Sequence, residues 1–518
     1  MNILPVEPGT VGPCPVAPDA LQGIKRQQTN PARWNATGWR AFAAELRAAG
    51  VELVEGAVAC GIYATDAGGT AYGLPHGVVI ARSAGQVSAL LKAAQAHRVP
   101  VTVRGGGLTT EGESVAFGGV LLDMSGMSRV LTIDAQNLTV RTEAGIYWHS
   151  LAEELRRENL DYLSAPLNLT SSVGGTLGVG GIDVNSARLG CSADQAVSLQ
   201  VVTPTGEIVE CSDDENAELF RRVILGYGQF GVITEATLRI RPYTPLSMHY
   251  YYYSSLRTAI EDLQMLDRAD ASDYSGILTI MDCAVNLLVA FDSDEREAAF
   301  RENWEQRLRG YGEFGFGLCM AGHYLLRPWK IGEALYLLQR KQAVFPEFRR
   351  PEYMRDGKMH DRTVVFSRAV WRHWGSRQMV IPDLATPADK FIEAVERGNA
   401  ACRKYFRHYT LYCVGIKLRP DHQPHYEMSC VPPGAEGWAY GCEFEPMIEG
   451  EVYSRDHFQA FKNAIYDIGV SMGVSYYRFG GMMKGYIRRV FGDALVDKHL
   501  ALKRRADPAM ILNRDVIF

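Results

Sequence analysis

Val99-Pro100-Val101-Thr102-Val103-Arg104-Gly105-Gly106-Gly107-Leu108-Thr109 is the stretch that decides how this chain reads. Its β-branched residues up to Val103 form a short strand pattern. The strand runs directly into three consecutive glycines. Bunched glycines let a backbone turn tightly and present its N–H groups to an anion such as a phosphate. Upstream, Val78-Val79-Ile80-Ala81 reads as a second strand. Ser83 is a candidate N-cap for a helix whose apolar face carries Val87, Leu90, Leu91 and Ala94. The object is therefore a β-α-β unit closed by a glycine turn. It is not the dinucleotide fingerprint of a doubly wound sheet, because no GxGxxG opens a helix there.

Working outward, short strand patterns follow at Gly119 to Asp123, Val130 to Ile133 and Leu138 to Thr142, and Trp148 to Leu155 reads as a helix. A second glycine-dense stretch, Ser171-Ser172-Val173-Gly174-Gly175-Thr176-Leu177-Gly178-Val179-Gly180-Gly181, is read as following or lying within β structure. Ala196 to Thr203 and Ile208 to Cys211 form a hairpin pattern around Pro204-Thr205-Gly206. A third glycine turn, Gly226-Tyr227-Gly228-Gln229-Phe230-Gly231, leads into the strand Ala236 to Ile240. Three such turns in one α+β unit suggest a pyrophosphate with a long nucleotide tail. Beyond Pro242 and Pro245 the chain turns aromatic-rich, and Leu411 to Leu418, Tyr426 to Val431 and Trp438 to Phe444 read as neighbouring strands of an antiparallel sheet.

With 518 residues, the chain calls for two or three domains. A formal net charge of -5 offers no basic surface for nucleic acid. No stretch reaches the length and apolarity of a membrane span, and no secretion signal opens the chain. The ten cysteines include no CxxC pair, which argues against zinc and against a disulfide framework. These features lead us to expect buried free thiols, a cytoplasmic setting, no metal, no membrane partner, and a monomer or homodimer acting on a small molecule.

Pro75 to Ala94, Val103 to Thr109, Ser172 to Gly181 and Gly228-Gln229-Phe230-Gly231-Val232-Ile233-Thr234 together resemble the FAD-binding domain of the vanillyl-alcohol oxidase and para-cresol methylhydroxylase superfamily. Val173 to Leu177, Cys211-Ser212 with Glu215 to Phe220, and the ending Asp507 to Phe518 are similar to cytokinin dehydrogenases. The resemblance implies an α+β fold, namely a two-part FAD-binding domain (1–242 and 474–518) and a cap domain (243–473) built on an antiparallel sheet flanked by helices. It implies that FAD is held by Arg104, Gly105, Gly106, Gly107, Leu108, Thr109 and Glu113. Ser172, Gly174, Gly175, Thr176, Gly178, Gly181 and Ile182 would run along the pyrophosphate and ribityl. Val232 and Ile233 would lie beside the adenine, with Asn513 returning from the C-terminus.

The chain departs from that family in two places. Leu108 stands where a histidine is joined covalently to the flavin, so non-covalent FAD is expected. Leu167 and Asn168 stand where the cytokinin-dehydrogenase aspartate would be, so the usual base is missing. Tyr476-Tyr477-Arg478 resembles the Tyr-Arg pair of the alkylphenol-oxidising branch, which makes Tyr477 and Arg478 the catalytic candidates. The alternative for both is core packing and an ordinary salt bridge. His360, His373, His408, His422, His425 and Lys417 are weaker candidates in the cap region. The function expected is an FAD-dependent dehydrogenase or oxidase passing a hydride from a small, aromatic or apolar substrate to the flavin. The alternative is a non-redox lyase or transferase on the same fold.

Overall fold

The computed structural model describes residues 36–69, 71–280, 284–311, 354–355, 358–359, 380–406, 409–418, 435–446, 453–478 and 485–514. Three sheets organise them. The first contains β1 (Val54–Glu55), β2 (Gly77–Ile80), β3 (Val101–Arg104) and β4 (Val120–Asp123) in the order β1-β2-β4-β3. Its last three strands are parallel. The crossover between β2 and β3 is helix α1 (Ala84–His97), capped as expected by Ser83, whose side chain accepts from the Gln86 amide. Its buried face includes Val87, Leu90, Leu91 and Ala94.

The second sheet is antiparallel, in the order β5 (Val130–Asp134), β6 (Thr139–Glu143), β10 (Val232–Pro242), β8 (Ala196–Val202) and β9 (Ile208–Ser212). β7 (Leu160–Tyr162) pairs with the far end of β10. The hairpin at Pro204-Thr205-Gly206 joins β8 to β9 in the register Val202↔Ile208.

The third sheet has six antiparallel strands, β11 (Ser247–Tyr253), β12 (Tyr274–Ile280), β13 (Ala284–Phe291), β16 (Asp383–Pro387), β17 (Tyr409–Lys417) and β18 (Trp438–Pro446), in the order β11-β13-β12-β17-β18-β16. β14 (Met354–Arg355) and β15 (Lys358–Met359) form a separate two-stranded antiparallel pair. Side chains alternate faces along a strand. One face carries Phe444, and the ring of Phe444 fills the space where a side chain on Gly398 would stand. Helix α5 (Phe391–Tyr405) thus covers that face. The opposite face presents Tyr412, Glu443 and Asp383, set side by side by the registers Tyr412↔Glu443 and Asp383↔Glu443.

The C-terminus closes the structure. Ser475 pairs with Ala385 at the edge of the third sheet, while Leu512 pairs with Val101 of β3 in the first. Helix α7 (Asp493–Ala506) supplies Lys503, which is fully buried. Its ammonium donates to the carbonyls of Gln229 (2.5 Å) and Leu512 (2.8 Å) and pairs with Asp507 at 2.8 Å. All three donor sites of a buried ammonium are thereby used, the condition for keeping a charge inside.

The second glycine-dense stretch corrects one expectation. It is helix α3 (Val173–Val179), capped by the Ser172 side chain on the Gly175 amide. The helix wins because the amides of Val173 and Gly174 bond the carbonyls of Ile146 and Ala144. Glycine is required at 174 by the close approach of Ala144, not by β geometry. Among the described residues, the free cysteines Cys60, Cys191, Cys211, Cys402, Cys413 and Cys442 are buried, no helix is long and apolar enough to cross a membrane, and no group of His, Cys, Asp or Glu is placed to hold a metal.

Candidate functional site

The glycine turn after β3, helix α3, the turn before β10 and the Glu443 face of the third sheet surround one open cleft, enclosing about 1550 Å³ with its mouth included. Of the residues expected to hold the nucleotide, every one but Arg104 lines it, and so do Tyr477 and Arg478. Arg104 lies behind the loop. Its guanidinium donates to the Thr65 carbonyl at 2.8 Å and sits 5.7 Å from the Tyr63 ring centroid. Any side chain on Gly107 would run into that guanidinium, and φ there is +67°, so the turn takes glycine.

The polar atoms left over describe the ligand. Among the described residues, none of the backbone amides from Gly105 to Thr109 has an acceptor within the protein. Five consecutive unpaired N–H groups beside a cleft are what a phosphate linker satisfies. The Asn168 side-chain amide is a second orphan. Its oxygen accepts from the amide (3.0 Å) and hydroxyl (2.6 Å) of Thr170, while its buried NH2 has no partner among the described residues. Gly178 also faces the cleft, and a Cβ there would meet nothing within 4 Å. The donor set and the open glycines therefore fit FAD.

Not every expected residue offers a polar group to a ligand. Asn513 spends its side chain inside the protein, accepting from the Val103 amide at 2.8 Å and donating to the Tyr227 carbonyl at 2.9 Å. Thr176 accepts from the Trp148 indole. Both shape the cleft wall. Leu108 lines the cleft with an aliphatic chain, as do Val232 and Ile233.

At the other end the third sheet supplies charge. Arg478 donates from Nε to Asp383 at 3.0 Å and from Nη2 to Glu443 at 3.0 Å. Burial alone lowers its pKa, but the two carboxylates outweigh this and raise it. Arg478 thus both makes an ion pair and faces the cleft, so the two readings of it from sequence are not exclusive. Tyr477 likewise packs in the core (6% exposed) yet lines the cleft, and its hydroxyl accepts from the Gly181 amide at 2.5 Å. Burial pushes the Asp383 carboxyl up to about 6 against the pull of Arg478. Burial and then neighbouring Glu443 hold Glu445 well above the usual carboxylate range. Tyr412, buried on the same face, has a hydroxyl without a hydrogen-bond partner among the described residues.

Sequence reasoning passed over Glu443, Glu445 and Asp383. The one signal for the two glutamates was the pattern Glu443-Phe444-Glu445 in a strand otherwise apolar, where alternation puts both carboxylates on one face. Lys417 is exposed at the end of β17, away from the cleft. His360, His373, His408, His422, His425 and the strand Tyr426 to Val431 lie outside the described residues.

Comparisons with known proteins agree with this geometry. Residues 75–212 match the family model described as an FAD binding domain. The whole-chain fold is similar to that of xylooligosaccharide oxidase from Myceliophthora thermophila C1, with a TM-score of 0.68, 15% identity, and 92% of this chain and 99% of that one covered. The chain therefore carries an FAD-binding domain match within a fold shared with that oxidase. It is 35% identical over 204 residues to an uncharacterized oxidoreductase of the fasciation locus in Rhodococcoides fascians, covering 38% of this chain and 45% of that protein. It is 28% identical over 253 residues to cytokinin dehydrogenase 3 of Arabidopsis thaliana, covering 48% and 47%. The chain thus spans about half the length of the curated relatives it matches.

Proposed function

We propose that this protein is an FAD-dependent oxidoreductase that oxidises a small organic substrate held between the flavin and the third sheet. One observation carries the reading: a single cleft joins the unpaired amides of the glycine turn to the charged groups Glu443 and Arg478. The names of the relatives, an oxidoreductase, a dehydrogenase and an oxidase, favour redox chemistry over a lyase or transferase.

FAD, when bound, supplies the acceptor for a hydride from a substrate carbon. The chain does the rest. The amides of Gly105 to Thr109 hold the pyrophosphate, and Asn168 donates its NH2 to an acceptor atom of cofactor or substrate. Glu443 takes the proton that leaves the substrate heteroatom. Arg478 is a positioning residue that fixes the Glu443 carboxylate and keeps one of its oxygens engaged. Tyr477 holds the backbone at Gly181. FAD is bound non-covalently, since Leu108 has no nucleophilic atom and no cysteine lines the cleft among the described residues.

The absorption spectrum before and after acid precipitation tests the cofactor. Yellow protein whose colour moves to the supernatant is expected. Colourless protein overturns the FAD assignment, and colour kept in the pellet overturns non-covalent binding. Anaerobic mixing with a substrate that bleaches the flavin tests the base. Glu443→Gln is expected to slow bleaching about 100-fold or more, the usual range for a lost general base. Bleaching at the full rate removes Glu443 from the chemistry.

A further inference from the structure

Glu113 lies where the glycine-turn loop meets the third sheet. Its side chain is 8% exposed and lines the cleft. Oε2 accepts from the Glu111 amide at 2.8 Å. Besides that bond, the carboxyl is within reach of its own backbone amide, and no other side chain among the described residues bonds it.

The groups around it leave an ionised Glu113 without a counter-ion. From the segment before β2 comes Asp66, a carboxylate already held by the Gly68 and Gly112 amides and the Thr109 hydroxyl. From β16 comes Asp383, and from β18 Glu443, both paired to Arg478. Helix α6 (Arg455–Met472) contributes Lys462 and Tyr466. Lys462 is fully buried against Glu111, with burial pulling its ammonium well below the usual lysine range, and the Tyr466 hydroxyl donates to the same carboxylate at 3.1 Å. Lys462 is therefore spent on Glu111. Arg478 is the one remaining cation among these groups, and it already serves two carboxylates. A buried carboxylate held only by the Glu111 amide and its own, whose nearest cation Arg478 already serves two others, is costly to ionise, and holding a proton removes that cost.

We infer that Glu113 stands in the cleft as a neutral carboxylic acid and donates a hydrogen bond from Oε1 to an acceptor atom of bound FAD, which makes cofactor retention sensitive to alkaline pH. The inference rests on the FAD reading above. Burial, and then Asp66 beside it, pushes the Glu113 carboxyl up to about 8. This is a folded-state value raised above the ordinary one, so the proton is in place below about pH 8. Losing it costs the donor and puts a negative charge beside a dianionic cofactor. By linkage, affinity is highest at neutral pH and falls by up to about tenfold per pH unit above 8.

The test uses the holoprotein, diluted at pH 6.5 to 9.5, with released FAD read by its fluorescence. Wild type is expected to give a constant Kd to about pH 7.5 and a rising one above 8. Glu113→Gln keeps an N–H donor without the charge, so it is expected to bind within about threefold of wild type at pH 7 and to lose the slope. A flat wild-type profile to pH 9.5 overturns the proposal. So does a slope that persists in Glu113→Gln, because another group then titrates. Tighter binding by Glu113→Gln at pH 7, by tenfold or more, also overturns it, since the wild-type residue would then be an anion that repels the cofactor. Failure to hold FAD at any pH removes the FAD reading itself, and this proposal with it.

Discussion

Gly178 offers a way to separate cofactor binding from folding. It lies near the end of helix α3, faces the cleft, and a Cβ there would meet no atom within 4 Å. Alanine in place of a helical glycine restricts the unfolded chain and favours the helix by about 0.5–1 kcal/mol. Gly178→Ala should therefore raise the melting temperature of the flavin-free protein slightly and leave FAD binding nearly intact. Gly178→Leu keeps the helix but sends an isobutyl group into the space the cofactor needs. Overpacking of that kind costs about 1–3 kcal/mol, or roughly 5- to 150-fold in FAD affinity. Flavin content after purification and titration of the flavin-free protein with FAD measure the affinity. Thermal melting of the flavin-free form measures the fold. A Gly178→Leu protein with wild-type flavin content and affinity would refute the placement of FAD along α3. A flavin-free Gly178→Ala protein clearly less stable than wild type would refute the claim that the space beside Gly178 is open.

Arg478→Met strands Asp383 and Glu443 without their cation and should destabilise the protein by about 3–5 kcal/mol near neutral pH. Urea unfolding at pH 5 and 7.5 checks this. Asp383, already raised to about 6, rises further once the guanidinium is gone, so the loss should be smaller at pH 5; an equal loss at both pH values would contradict the assigned pairing. In the wild-type, flavin-free protein, Asp383 and Glu113 have folded values near 6 and 8, above those of an unfolded chain. The native state then holds protons that the unfolded state releases, so stability should fall as pH rises through 6 and again through 8. Melting temperatures that climb from pH 6 to 8.5 would show that these carboxyls are not raised. Tyr477→Phe removes the acceptor of the buried Gly181 amide, an expected loss of about 1–3 kcal/mol. If flavin bleaching by substrate keeps its full rate in that variant, Tyr477 acts through the backbone and not in the chemistry.

Much of the nucleotide side was legible because its information is local. A strand running into three glycines, a serine cap before an apolar helical stripe, and a Pro-Thr-Gly hairpin each depend on a few neighbouring residues, and β3, α1 and the β8–β9 hairpin formed where those signals lay. The glycine-dense stretch at 171–181 was harder. Glycine content marks close approach as readily as a turn, and only the neighbouring carbonyls of Ala144 and Ile146 make it a helix. Arg104 shows the same limit. Its position beside the loop was plain, but whether it faced the ligand or braced the loop depended on Thr65 and Tyr63, far upstream.

The sequence by itself determined what this chain can hold. The glycine turn after a strand places a run of backbone amides that no acceptor among the described residues satisfies, and hydrogen-bond chemistry then calls for an anionic linker. It also determined that Leu108 offers no bond to a flavin, since that follows from atom type alone. What faces the cofactor was decided by tertiary structure. Asp383, Glu443 and Arg478 come from three separate segments, and Tyr412 from a fourth. They meet because cross-strand register sets Tyr412, Glu443 and Asp383 in one row and the chain after α6 lays Arg478 against it. Register is a relation between strands and cannot be read from any one of them. For the same reason the protonation of Glu113 became visible only once burial and the neighbouring carboxylates were in place.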